Sequence, residues 1–69
     1  MEFTWVDGSE ISARIDSEQI VISANREGLI SLAENLRTLA EERPGDHFHL
    51  DEYNSLEEGS VELIIERTE

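Results

Sequence analysis

Only one stretch of this chain repeats its apolar residues at helical spacing. Leu29, Leu32, Ala33, Leu36, Leu39 and Ala40 recur every three or four positions and, at 100° per residue, fall within a stripe of roughly 120°. A lone helix cannot bury such a stripe on itself, so the remaining segments must cover it, and their apolar residues alternate with polar ones as strands do. The expected fold class is α+β: order β-β-β-α-β-β, a mostly antiparallel sheet with one amphipathic helix packed on one face. With 69 residues and no cysteine, the chain is expected to form a single domain, residues 1–69, around one small core without disulfides.

Local signals set the boundaries. Asn25 is placed to cap the helix and Glu27 sits favourably at the positive end of its dipole, while Pro44-Gly45 ends it. Gly28 in the first turn costs up to about 1 kcal/mol relative to Ala, and a close approach by the sheet accounts for it as well as any ligand does. Opposite the apolar stripe, Glu27, Glu34 and Glu41 repeat every seventh position among Ser31, Asn35, Thr38 and Glu42, predicting a ridge of carboxylates that is either an ordinary solvated helix back or a docking ridge for a partner. Before the helix, Glu2–Val6, Ile11–Ile15 and Gln19–Ser23 read as strands, separated by turns at Asp7-Gly8-Ser9 and Asp16-Ser17-Glu18. After it come strands at His47–Asp51 and Val61–Glu66.

Thirteen Glu and four Asp against five Arg and no Lys leave a formal charge of −12. Nucleic acid is excluded as a partner, because binding to phosphates gains from counterion release onto a basic patch and five scattered arginines supply none. Anionic membrane surfaces are disfavoured for the same reason. The negative field serves solubility, and it also speeds encounter with a basic protein partner. No apolar run approaches the roughly 20 residues that span a bilayer, and the lack of cysteine suits a reducing compartment, so a cytoplasmic location is expected.

The nine residues Glu52–Ser60 exceed a standard hairpin loop, and long loops on compact domains collect binding residues. The expected partner contact lies on Tyr53, Asn54, Glu57 and Glu58 of this loop, with Asp51 and Glu52 beside it; Tyr53 is the anchor unless it packs onto the core. Trp5 is expected in the core or on the sheet surface.

His47 and His49 are candidate metal ligands, since imidazoles two apart on a strand lie about 6.6 Å from each other. Asp51 is about 13 Å along the strand from His47, too far to share the ion, so no metal or other cofactor is expected. The acidic pairs Glu41-Glu42, Asp51-Glu52 and Glu57-Glu58 lie in surface patterns and lack the pocket that acid–base catalysis needs. The glycines form no phosphate loop, and no oxyanion motif accompanies the serines. The chain is therefore read as no enzyme. Two alternatives stay open: a small ligand- or metal-binding module using His47 and His49, and a homo-dimer or homo-oligomeric structural domain joined through Val6, Val21 and Ile64 on the sheet face away from the helix.

Ser23-Ala24-Asn25-Arg26-Glu27-Gly28-Leu29 with Leu32-Ala33, then Pro44-Gly45, His49-Leu50-Asp51 and Leu56–Leu63, resemble the immunity protein 32 family of bacterial polymorphic toxin systems. The resemblance spans about residues 20–67. It implies a cytoplasmic antidote that neutralises a cognate toxin encoded beside it. Such toxins often act on nucleic acids through basic surfaces, which an acidic protein could occupy.

Overall fold

The computed structural model describes residues 2–69. Strand β1 (Ile11–Asp16) pairs antiparallel with β2 (Gln19–Ala24), Ile11 lying opposite Ala24 and Ile15 opposite Ile20. The turn between them places Ser17 at φ 49° and Glu18 at φ 68°, the left-handed pair that a two-residue hairpin turn of type I′ requires. Neither residue is the Asn or Gly that adopts this region cheaply. The double substitution Ser17→Asn with Glu18→Gly is therefore expected to raise stability by about 1 kcal/mol and Tm by several degrees. A thermal melt that stays level or falls would contradict it.

Helix α1 (Arg26–Ala40) follows at once. Asn25 caps it, accepting from Gly28 N at 2.8 Å, and also ties the cap to the preceding chain: Asn25 Oδ1 accepts from Glu10 N and Asn25 Nδ2 donates to Gly8 O. The close approach expected at Gly28 is present, with the Glu10 carbonyl and Ile11 packed against the helix there. Beyond Pro44-Gly45, β3 (His47–Leu50) pairs antiparallel with β4 (Leu63–Glu66), Phe48 opposite Ile65 and Leu50 opposite Leu63.

The strands form two separate two-stranded sheets, in the order β-β-α-β-β. The chain before β4 joins them: Glu57 N donates to Ile11 O at 2.7 Å and Val61 N to Ala13 O at 2.9 Å, and Ala13 N donates to Ser60 Oγ. Val61 is thus engaged with the edge of β1, and β4 starts at Leu63 instead of Val61. The core is Ile11 and Ala13 from β1, Leu39 from α1, Phe48 and Leu50 from β3, and Leu56 from the following loop.

Two expectations are corrected. The segment Glu2–Val6 is no strand. It lies along α1, where helix side chains replace the partner strand: Thr4 N donates to Asn35 Oδ1 (3.1 Å), Asn35 Nδ2 donates to Thr4 O (3.0 Å), and Val6 N donates to Ser31 Oγ (2.8 Å). Phe3 and Trp5 then pack against the core, the Phe3 ring tilted by 41° to that of Phe48 with the centroids 4.5 Å apart.

The second correction follows from the first. The buried helix residues are Gly28, Ser31, Asn35 and Leu39, a face turned by roughly 100° from the apolar stripe. Leu32 still packs against the core, but Leu29 is 56% and Leu36 44% exposed, with Ala33 and Ala40 exposed beside them. Ser31 and Asn35, assigned from their polarity to the solvated ridge, are 0% and 1% exposed. Glu34 and Glu41 remain exposed, whereas Glu27 is half-buried where Ser9 Oγ donates to its carbonyl. Polar side chains with complete hydrogen bonding can be buried, and the backbone of residues 4–6 completes these.

Candidate functional site

The loop after β3 is built by its own polar side chains. Asp51 Oδ1 accepts from Tyr53 N (2.9 Å) and Asn54 N (3.1 Å), while the Asp51 carbonyl accepts from Ser55 N and Leu56 N. This is the local pattern by which Asp stabilises a turn without a strand partner. Asn54 closes it from the other side, its Oδ1 accepting from Asp51 N and its Nδ2 donating to His49 O. Glu52 reaches across to accept from Gly59 N at 2.6 Å. Leu56, 4% exposed, sinks into the core, and Glu57 N and Val61 N fasten the exit to β1.

The six residues read from the sequence as a contact therefore divide by task. Asp51, Glu52 and Asn54 shape the loop. Tyr53, Glu57 and Glu58 are left projecting from it, and among the described residues no hydrogen-bond or ionic partner engages their side chains. Tyr53 is 96% exposed, so its alternative placement on the core does not occur. The ring sits beside two open hollows. One, of about 380 Å³, lies between this loop and the segment Trp5–Ser9; the other, of about 370 Å³, is bordered by Glu52, Tyr53 and Glu58.

Residues Trp5–Ser9 were missed as part of this surface. The signal available was the Asp7-Gly8 turn, and Gly8 does take φ 86°, but nothing local shows that this turn comes to face a loop some 45 positions later. What the arrangement offers is a flat, amphipathic ring with carboxylates on both sides. Such a surface suits a guanidinium or ammonium group, which can stack on the ring while pairing with the acids.

His47 and His49 project from the outer face of β3, both exposed, with ring centroids 5.0 Å apart; His49 Nδ1 lies 3.8 Å from Glu62 Oε1. Among the described residues no group of three or more His, Asp or Glu side chains is arranged to hold a metal ion. Val21 and Ile64 lie on the outer faces of their sheets, opposite Arg14 and His49, while Val6 belongs to the extended segment on the helix. No helix among the described residues is long and apolar enough to cross a membrane.

Comparison with known proteins assigns a family. The model for immunity protein 32 matches residues 19–68, from the start of β2 to the end of the chain's last strand and beyond. No curated protein and no solved structure matches.

Proposed function

Because this chain belongs to the immunity protein 32 family, we propose that it is a cytoplasmic antidote that binds and neutralises a cognate bacterial toxin through the acidic surface around Tyr53. The observation carrying this reading is the exposure of Tyr53 on a loop whose backbone is already fastened by Asp51, Glu52 and Asn54. A large side chain held out in water gains most when a partner covers it, and a loop ordered beforehand loses little entropy on binding. Glu57 and Glu58 flank the ring, and the charge of −12 directs the site toward a basic toxin surface. The protein acts by occupying that surface, with no catalytic step and no cofactor.

Calorimetric titration of the toxin encoded beside this chain tests the reading. Tyr53→Ala is expected to weaken binding by about 30-fold or more, the scale of an interface anchor. Raising salt from about 50 to about 500 mM, which shortens screening to a few ångströms, is expected to weaken it at least about tenfold. An affinity indifferent to salt and to Tyr53 would reject the site.

A further inference from the structure

The exposed stripe of α1 has a pattern of its own. Leu29, Ala33, Leu36 and Ala40 lie within roughly 60° of one another around the helix axis, and all four are exposed. Large and small residues alternate along the row. Read backwards, Leu-Ala-Leu-Ala becomes Ala-Leu-Ala-Leu. A second helix laid antiparallel about a two-fold axis midway between Glu34 and Asn35 places each Leu over an Ala: Leu29 against Ala40, and Leu36 against Ala33. We propose that this stripe is the contact between two copies of the chain, joined by antiparallel packing of α1 on α1.

Size complementarity of this kind lets helices approach to the near end of the usual 8–10 Å separation, and self-complementarity is what a two-fold interface demands. Charge agrees locally. Arg26 and Arg37, both exposed, border the stripe, and Glu41 and Glu34 lie farther round the same side of the helix, an even local balance on a chain whose total is −12. Antiparallel packing also sets the first turn of one helix, with Arg26, alongside the last turn of the other, which leads into Glu41, and opposes the two helix dipoles. The contact uses the helix, whereas the sequence pointed to the sheet face of Val21 and Ile64. It is also separate from the Tyr53 loop.

Sedimentation velocity on the full chain, from about 1 to about 300 µM, brackets the micromolar affinity expected of a single helix pair. A concentration-dependent shift from monomer to dimer is expected, and it should strengthen with salt as the repulsion between two acidic chains is screened; toxin binding should respond to salt in the opposite sense. Leu29→Glu with Leu36→Glu should leave the melting curve close to the parent's and abolish the dimer. Ala33→Leu supplies the second arm: it fills the seat of the opposing Leu36 and should weaken the dimer at least about tenfold, although it adds apolar surface. Tyr53→Ala should leave dimerisation unchanged. A chain monomeric at every concentration would overturn the proposal, as would a dimer strengthened by Ala33→Leu. A monomeric chain whose toxin binding is lost in the Leu29, Leu36 variant would assign the stripe to the toxin instead.

Discussion

Replacing Asn35 by Leu is expected to destabilise the fold by about 2–4 kcal/mol, although it substitutes an apolar residue with the better helix propensity at a position only 1% exposed. The reason lies in the two bonds between the Asn35 amide and the backbone of Thr4, one donated each way. Leu removes both and leaves the Thr4 N–H and C=O facing an apolar side chain. Each polar group so stranded in this part-buried contact costs about 1–2 kcal/mol, against a gain of a few tenths from propensity. The segment carrying Phe3 and Trp5 then loses its attachment near Thr4. Since a domain of this size has a total stability of several kcal/mol, the variant should be substantially unfolded near physiological temperature. Urea denaturation followed by circular dichroism measures the change. Asn35→Leu matching or exceeding the parent's midpoint would show that the segment is held by its aromatic side chains alone.

Gly28→Ala is expected to cost about 2 kcal/mol, the reverse of what an exchange of Gly for Ala normally does inside a helix. In an exposed helix the exchange gains about 1 kcal/mol. Here a Cβ would lie 2.8 Å from the Glu10 carbonyl oxygen, 2.9 Å from Ile11 Cγ1 and 3.1 Å from Ala24 Cβ. The nearest of these is backbone, and that carbonyl already accepts from Asn25 N at 3.1 Å, so retreat weakens the helix cap. Ile11 is fully buried and has no space to move into, which makes the site an overpacked one. The same denaturation measurement decides it, with Glu34→Ala on the exposed flank of α1 as the control for propensity. A Gly28→Ala protein at least as stable as the parent would mean that helix and hairpin are free to part by several tenths of an ångström.

Both predictions concern the place where sequence and structure diverge. Periodicity located the start of α1 to within a residue and identified its N-cap, because that end depends on side chains only three positions away; the helix closes at Ala40, ahead of the Pro44-Gly45 stop signal. It could not orient the helix. The face turned inward depends on which distant segment lies beside it, and the Glu2–Val6 stretch arrived with unpaired amides and carbonyls that Leu cannot satisfy and Asn and Ser can. Hydropathy ranks Ser31 and Asn35 as solvent residues because it counts the loss of water and ignores the bonds gained in exchange.

The site shows the same division. That the stretch after β3 would be a loop, and that Tyr53 with its neighbouring acids would be its feature, could be read from its length and composition. Which of those acids were structural could not. Asp51, Glu52 and Asn54 look like Glu57 and Glu58 in a list of polar residues, and only their hydrogen bonds distinguish builders from projecting groups. By itself the sequence determined the α+β class, the order of the helix and the four strands that form, the negative field and the family, all properties of local spacing, composition and motif. The tertiary structure decided which face of α1 is buried, that the strands divide into two sheets, and that the stretch Trp5–Ser9 stands opposite the Tyr53 loop. Those outcomes depend on satisfying buried backbone groups across long separations, and local spacing carries no record of which segments will meet.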